Sequence, residues 1–222
     1  SRKQDHFPGS YAISSKELKF STSNNFKIDV NFFNTLKNKS IQTLFNVDCL
    51  SIYISKSFKI SCRFYDQIIQ LPKIIKIRNW YKIELEFNSL EKTLALKQTD
   101  IKNSSLEFKQ KIKINKIPKF VTGKVFISAE MAEKNVSNFF NGKIENPSIL
   151  IAEKQDVFKT LVRWDFSKSI PSSVISDLSK NKINLNIINF PTRGVTGSKW
   201  DGSEMSWKHC PDHYTAIHFH ED

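Results

Sequence analysis

Apolar side chains recur at every second position through most of the first 165 residues. The alternation is clear in the segments Phe26–Phe32, Leu50–Ile54, Phe58–Phe64 and Trp80–Phe87. Successive side chains of a β-strand point to opposite faces, whereas an amphipathic helix repeats its apolar residues every three or four positions. A chain patterned in this way is therefore predicted to form half-buried strands rather than helices.

One pair of strands is joined by a short polar segment. Trp80–Phe87 is followed by the polar turn Asn88–Thr93 and by a second apolar segment, Leu94–Lys97. Two alternating segments separated by a polar turn are typical of a β-hairpin. We therefore predict that these two strands pair antiparallel.

Further strands are predicted downstream, at Phe108–Ile114, Lys124–Ser128, Lys143–Ile151, Phe158–Phe166 and Ile183–Phe190. Two segments are candidates for short helices, Met131–Asn138 and Ser172–Ser179. Many strands with one apolar face each, joined by polar turns, favour two antiparallel sheets packed face to face. The predicted fold is therefore an all-β sandwich.

The sequence changes character after Pro191. Residues 192–207 contain three of the six glycines and two of the four tryptophans, and their apolar residues follow no regular period. We therefore predict an irregular, ordered arm that leads away from the sandwich.

The positive charge of the chain is spread along it. A formal net charge of +12 would suit a nucleic acid or an anionic membrane. Here the lysines alternate with apolar residues, as in Phe108–Ile114, and this pattern places them on the solvent face of a strand. The chain has no contiguous basic block, so we predict that it binds neither nucleic acid nor membrane.

The cysteines and the hydropathy pattern favour a cytoplasmic location. Cys49, Cys62 and Cys210 form an odd set without the CxxC spacing of metal or redox sites. No stretch approaches the roughly 20 apolar residues of a membrane-spanning helix. The expectation is a cytoplasmic protein with reduced thiols.

Four of the five histidines lie in the last fourteen residues, HCPDHYTAIHFHED. His218 and His220 flank Phe219, so on a strand both imidazoles would face one side, about 7 Å apart. A metal could bridge them, with His213 or an acidic residue completing the set. The alternatives are hydrogen-bonded structural histidines or residues beside a substrate cavity. Because the ligand set is incomplete for zinc, we assign no metal to this chain.

Two other groups of residues were considered as sites. Trp200 and Trp207 could stack on a ligand or could pin the arm against a neighbouring surface. Cys210 and His213 could form a nucleophilic pair, but no third group is available to orient them. We therefore assign no catalytic residue and keep Trp200, Trp207, His213, His218 and His220 as candidate ligand-binding residues.

Two resemblances to known families emerge from the order of the motifs. The turn Asn141-Gly142 before Lys143-Ile144, downstream of a tryptophan-led strand, resembles laminin G-like and concanavalin A-like jelly rolls. A longer series resembles the large subunit of N,N-dimethylformamidases and runs from about residue 7 to residue 222. It comprises Pro8–Tyr11, Asn141–Ile144, Trp164–Ser167, Asn189–Gly197, Trp200 and His213–His220.

The second resemblance implies a specific organisation. In that family a lectin-like jelly roll precedes an α/β domain, where an iron held by tyrosine and glutamate side chains hydrolyses a small amide. The resemblance implies a jelly roll at residues 7–190 and a connecting arm at 191–222, followed by a catalytic domain that this chain lacks. The iron would belong to that domain, and none is expected in this chain.

The resemblance also bears on partners and on catalysis. It implies the downstream catalytic domain as partner, together with a small subunit or a second copy of the chain. The chain by itself is expected to be non-catalytic. The rival hypothesis is a free-standing carbohydrate-binding protein, although Asp29, Asp48, Asp66 and Asp100 are too scattered to form an acidic ligand-binding loop.

Overall fold

The alternating segments form β-strands throughout the chain. The computed structural model describes residues 9–133, 135–152, 157–200, 202 and 213–221, and these residues contain no α-helix. The strands are β1 (Tyr11–Ser14), β2 (Leu18–Ser21), β3 (Asn25–Asn34), β4 (Gln42–Val47), β5 (Leu50–Ile54), β6 (Lys59–Phe64), β7 (Gln67–Ile74), β8 (Trp80–Asn88), β9 (Thr93–Asp100), β10 (Glu107–Lys113), β11 (Phe120–Gly123), β12 (Val125–Ile127), β13 (Glu130–Ala132), β14 (Asn135–Ser137), β15 (Gly142–Ala152), β16 (Phe158–Arg163), β17 (Val174–Ile175), β18 (Leu185–Ile188), β19 (Thr192–Val195) and β20 (Ala216–Phe219).

Two large antiparallel sheets make up the body of the molecule. Sheet 1 has the strand order β17-β18-β1-β12-β4-β5-β6-β7, and sheet 2 has the order β10-β9-β8-β3-β15-β20-β19. Strand β16 pairs with the second half of β15, beyond the part that pairs with β20. The predicted all-β sandwich is therefore confirmed.

The core lies between the inner faces of the two sheets. Phe26 of sheet 2 contacts Phe64 of sheet 1 with ring centroids 5.9 Å apart, and it stacks on Phe87 at 5.0 Å. All three rings are fully buried, and burial of a phenylalanine contributes roughly 1.5–3 kcal/mol to folding. The alternation seen in the sequence thus directs one face of each sheet into a shared aromatic core.

The predicted hairpin is confirmed, with β8 and β9 in register from Tyr81 opposite Asp100 to Asn88 opposite Thr93. The two predicted helices are wrong. Strands β13 and β14 pair antiparallel from Glu130 opposite Ser137 to Ala132 opposite Asn135, and Val174–Ile175 is strand β17. In the first case the Glu130 carboxylate is held by Arg63 at 2.9 Å, a contact across 67 residues that local helix propensity does not reflect.

The segment after Pro191 returns to the sandwich. Strands β19 and β20 extend sheet 2, with β20 pairing with β15 and β19 pairing with β20. Ile217 and Phe219 are fully buried in the core. The predicted irregular arm therefore contains two strands of the sheet, which are separated in sequence by twenty residues. The domain boundary at residue 191 stays a prediction.

Two thiols lie within the described residues. Cys49 is half-buried and Cys62 is buried, and both are free. Burial raises the pKa of the Cys49 thiol to about 11 and raises that of Cys62 further, so both are protonated at neutral pH. Cys210 lies outside the described residues. The described part of the chain includes no helix long and apolar enough to span a membrane.

Candidate functional site

A row of side chains crosses the outer face of sheet 2 where the chain ends. The strand register aligns Trp80, Phe33, Lys143, His218 and Thr192 across five adjacent strands. Their neighbours Ile144 and Ile217 point the other way, into the core. Because side chains alternate between faces along a strand, the same pairing that buries the isoleucines places these five residues together. We call this group the outer row.

His218 is the most perturbed member of the outer row. Its Nε2 atom is buried and has no hydrogen-bond partner among the described residues. Burial, followed by the nearby charges of His220 and Lys143, lowers the pKa of the imidazole to about 4. The ring is therefore neutral at physiological pH and offers one unpaired nitrogen.

His220 follows β20 on the same side as His218. The two ring centroids are 4.8 Å apart, and His220 Nε2 lies 3.3 Å from Thr192 Oγ1. The backbone of His220 also binds the start of the described chain. Its N–H donates to Ser10 Oγ at 2.7 Å, and its carbonyl accepts from the Ser10 N–H at 2.8 Å. His220 therefore belongs to a junction between the two ends of the chain.

Lys143 occupies the centre of the outer row. Its Nζ donates to Thr196 Oγ1 at 2.6 Å and to the Thr196 carbonyl at 3.2 Å, and it lies 5.4 Å from the Phe33 ring centroid. Burial lowers the pKa of this ammonium group. The Phe33 ring in turn contacts Trp80 with centroids 5.5 Å apart. The lysine thus links the sheet to the segment that crosses above it.

Glu145 lies one position further along the same face of β15 and is only 1% exposed. Its carboxylate accepts hydrogen bonds from Ser198 Oγ at 2.5 Å and from Asn31 Nδ2 at 3.4 Å, and it also accepts one from Thr215 Oγ1. A Cβ atom on Gly197 would collide with Thr215 and with the carboxylate itself. A residue larger than glycine at this position would force one of these two side chains to shift.

The candidate site residues predicted from the sequence do not include Lys143, Glu145, Thr196, Ser198 or Thr215. In sequence, Glu145 is one more polar residue on the outer face of an alternating strand. It is buried because a segment more than fifty residues downstream crosses over it. No local signal distinguishes such a carboxylate from an exposed one.

The remaining predicted site residues lie beside this crossing segment. The His213 carbonyl accepts from the Gly197 N–H at 2.7 Å, and the Trp200 N–H donates to the Gly197 carbonyl at 3.3 Å. The His213 Nδ1 atom is buried without a hydrogen-bond partner in the described part of the chain. His213 and Trp200 therefore flank Gly197, whereas His218 and His220 lie together on β20. Trp207 lies outside the described residues.

The motifs that carry the family resemblance bind one another. The Arg193 guanidinium donates to the carbonyls of Ser172 at 2.9 Å, Lys168 at 2.9 Å and Phe166 at 3.3 Å. Asn189 Nδ2 donates to the Gly9 carbonyl at 3.2 Å, and Trp164 Nε1 donates to the carbonyl of Ile183. These bonds fasten distant parts of the chain together.

The arrangement does not fit an iron or zinc site. The described residues include no group of three or more His, Cys, Asp or Glu side chains placed to hold a metal ion. The Glu145 oxygens already accept hydrogen bonds from Asn31, Ser198 and Thr215. The site offers hydrogen-bonding groups and the half-buried ammonium group of Lys143 rather than a set of metal ligands.

Comparison with known proteins points in the same direction as the motifs. No family model matches the chain. It is 27% identical to the N,N-dimethylformamidase beta subunit of Paracoccus aminophilus over 179 aligned residues, which cover 64% of this chain and 23% of the relative. It is 38% identical to the N,N-dimethylformamidase beta subunit of an Alcaligenes species over 101 residues, covering 37% of this chain and 13% of the relative. The matched regions thus span less than a quarter of either relative.

Solved structures identify the fold. The chain superposes with a TM-score of 0.55 on a putative carbohydrate binding protein from Bacteroides ovatus, at 12% identity, covering 81% of this chain and 58% of that one. At this identity the likeness concerns the fold alone. The chain is a lectin-like jelly-roll sandwich with sequence similarity to a dimethylformamidase subunit.

Proposed function

We propose that this chain is a non-catalytic, lectin-like N-terminal module of an amide hydrolase related to N,N-dimethylformamidase. The observation that carries the proposal is the 27% identity with the Paracoccus aminophilus beta subunit over 179 residues. Sequence similarity carries it because the fold alone is compatible with many functions. In this proposal the residues that hydrolyse the amide lie in a further domain of a longer protein.

The geometry of the chain end supports a scaffolding role. Lys143 and Glu145 bind residues 196–198, which cross over sheet 2, and β20, the last described strand, pairs with β15 within that sheet while His220 binds Ser10. A domain attached after this strand would leave the sandwich from a defined position. The outer row would then help to orient that domain.

The catalytic chemistry of the full protein would depend on iron. When bound, such an ion polarises an amide carbonyl and lowers the pKa of a coordinated water. The residues described here do not fit that ion, and we assign it to the further domain. A small subunit or a second copy of the chain would complete the enzyme, which we place in the cytoplasm.

Two products of the same gene test the proposal. The 222-residue chain and the complete reading frame that contains it would be purified and analysed for iron and for release of dimethylamine from N,N-dimethylformamide. We expect iron and turnover in the complete product and neither in the 222-residue chain. Turnover by the 222-residue chain would overturn the proposal, as would a complete product without iron or amidase activity.

A groove on the outer face of sheet 2 favours carbohydrate binding as a second candidate function. The groove has a volume of about 430 Å³ and includes Asp29, Glu84, Lys97 and Phe158. Burial raises the pKa of the Asp29 carboxyl, and Lys27 Nζ lies 4.3 Å from the Phe158 ring centroid. Carboxylates beside an aromatic ring are groups that can bind sugar hydroxyls and stack on a sugar ring.

A glycan array probed with the 222-residue chain separates the two functions. Under this second candidate, the chain binds a defined oligosaccharide, and Asp29→Asn and Phe158→Ala each weaken that binding at least fivefold. Glu91→Gln serves as the control, because Glu91 is exposed and lies outside the groove. Absence of binding to any glycan, or equal binding by all three variants, rejects the second candidate.

A further inference from the structure

A glutamine interrupts the apolar inner face of β9. Leu94, Leu96 and Gln98 all point between the sheets, and the two leucines are fully buried in the core. Gln98 is equally enclosed, at 2% exposed, yet its Oε1 atom has no hydrogen-bond partner among the described residues. Buried polar atoms normally have such partners, so an unpaired amide oxygen in this position indicates a place where a donor can bind.

A cavity of about 100 Å³ lies beside this amide at one end of the sandwich. The strand register places Phe108 directly opposite Gln98, and Tyr81 belongs to the neighbouring strand β8. Sheet 1 closes the other side with Lys73 and Ile74 of β7, and Leu106 completes the apolar wall. The cavity is therefore lined largely by apolar groups, and Gln98, whose Oε1 atom is unpaired, is one of its lining residues.

Tyr81 adds a second polar group to the cavity. Its ring is 5% exposed, and its phenolic oxygen accepts a hydrogen bond from the Lys76 N–H at 3.0 Å. A tyrosine hydroxyl that accepts one hydrogen bond still carries a proton that it can donate. The cavity thus presents one acceptor and one donor.

The mouth of the cavity is positively charged. Lys73 and Lys76 are exposed there, and neither ammonium group forms an ion pair within the described residues. Lys73 Nζ lies 5.9 Å from the Phe108 ring centroid, above the apolar wall. Unpaired ammonium groups beside an apolar opening favour an anionic group on the ligand.

One carboxylate, that of Asp100, also lines the cavity, but its oxygens are already engaged. Asp100 Oδ2 accepts from Asn79 Nδ2 at 2.7 Å, and Oδ1 accepts from the backbone N–H groups of Lys102 and Asn103 at 3.0 and 3.2 Å. These three donors stabilise its charge locally. The lysines therefore remain available to an incoming anion.

We propose that this cavity binds a short-chain hydroxycarboxylate. The hydroxyl would donate to Gln98 Oε1, the hydrocarbon part would pack against Ile74, Leu106 and Phe108, and the carboxylate would remain at the mouth beside Lys73 and Lys76. An apolar cavity of about 150 Å³ can hold benzene, so a cavity of this size suits about four or five non-hydrogen atoms. The carboxylate would thus lie outside the enclosed volume.

A titration of the 222-residue chain with 3-hydroxybutyrate tests the site. The NMR chemical shifts of Ile74, Leu106 and Phe108 report the binding. Butyrate is the matched probe, because it has the same chain and carboxylate but no hydroxyl donor. We expect saturable shifts at these residues with 3-hydroxybutyrate and about tenfold weaker binding of butyrate, the factor of one ordinary hydrogen bond.

Substitutions separate the contribution of the acceptor Gln98 Oε1 from that of the positive charge at the mouth. Gln98→Leu is expected to bring the affinities for 3-hydroxybutyrate and butyrate within twofold of each other. The double variant Lys73→Met, Lys76→Met is expected to weaken the binding of both compounds at least fivefold. Lys111→Met is the control, since Lys111 is exposed and outside the cavity.

The probe comparison in the unsubstituted chain does not depend on whether Gln98→Leu folds. Equal affinities for 3-hydroxybutyrate and butyrate, or no saturable shifts at the three reporter residues, would overturn the proposal. So would full 3-hydroxybutyrate affinity in a folded Gln98→Leu variant.

Discussion

Glu145 is the residue whose environment departs most from its sequence context. It occupies an outer-face position of β15, yet it is buried beneath residues 196–198 and 215. A buried carboxylate is tolerated only when hydrogen bonds replace the water that it loses. Here the donors come from three separate segments of the chain. They provide the hydrogen bonds that the carboxylate needs, and the carboxylate in turn holds the three segments together.

Replacing Glu145 by glutamine is expected to lower the free energy of unfolding by about 1.5–3 kcal/mol, because the charge-assisted hydrogen bonds are lost. Urea denaturation at pH 7 measures the change. Glu86→Gln is the matched control on the same sheet, since its ion pair with Lys27 is solvent-exposed. The control should change stability by less than about 1 kcal/mol. Equal effects of the two substitutions would contradict a special role for Glu145.

His218 is expected to titrate with a pKa of about 4, because burial and the charges of His220 and Lys143 disfavour its protonated form. In the unfolded chain the pKa is near 6.5. Between these values the unfolded chain binds a proton that the folded protein does not. The contribution of this group to stability is therefore intact above pH 6.5 and declines as the pH falls toward 4.

An NMR titration of the His218 Cε1 proton measures this pKa directly. His220→Gln removes one of the neighbouring charges, so it should raise the pKa of His218 toward its ordinary value. A midpoint near 6.5 in the unsubstituted chain would show that the imidazole is more exposed to solvent than its position on β20 indicates.

At the scale of the elements, β19 is held in place by the side chain of Arg193 as well as by its short pairing with β20. The Arg193 guanidinium binds three carbonyls from residues 166–172, which connect β16 to β17. The planar guanidinium can reach all three groups at once, and a lysine ammonium cannot. This single residue therefore fastens β19 to the loop that leads from β16 of sheet 2 to β17 of sheet 1.

Arg193→Lys is expected to lower the free energy of unfolding by about 1–3 kcal/mol, because at least one of the three carbonyls, two of which are partly buried, would lose its donor. The exposed Arg78 provides the control substitution, Arg78→Lys, which should change stability by less than about 0.5 kcal/mol. Thermal unfolding followed by circular dichroism compares the two variants. An Arg193→Lys protein as stable as the control would mean that water replaces the lost donor without cost.

At the scale of the whole molecule, β20 determines whether the chain end belongs to the sandwich. Phe219 is fully buried among the core residues, whereas Phe190, just before β19, is 95% exposed. The two phenylalanines are thus a matched pair on either side of the predicted boundary. Their contrast indicates that the core extends beyond residue 190.

Phe219→Ala is expected to lower the free energy of unfolding by about 3–5 kcal/mol, the usual loss for a large ring removed from a packed core. Phe190→Ala should stay within about 0.5 kcal/mol. Urea denaturation of both variants is the measurement. A small effect at Phe219 would mean that the chain end unfolds separately and would support the predicted boundary at residue 191.

The sequence by itself determined the strands, their apolar faces and the sandwich. Period-two alternation in segments such as Phe26–Phe32 and Trp80–Phe87 is a local property, and it leads to one buried face whatever the rest of the chain does. The same alternation predicts that His218 and His220 lie on one side of a strand. Short strands such as β1 and β13 have too few residues to show a period, so the pattern does not predict them.

Only the tertiary structure decided which outer-face residues are buried and what they bind. The outer row, the Glu145 carboxylate and the cavity at Gln98 all depend on contacts between strands or segments that are far apart in sequence. Alternation specifies that a side chain lies on the outer face of a sheet. It does not specify whether that side chain contacts solvent or is covered by a later part of the chain, because the outcome depends on the free energy of packing the whole molecule.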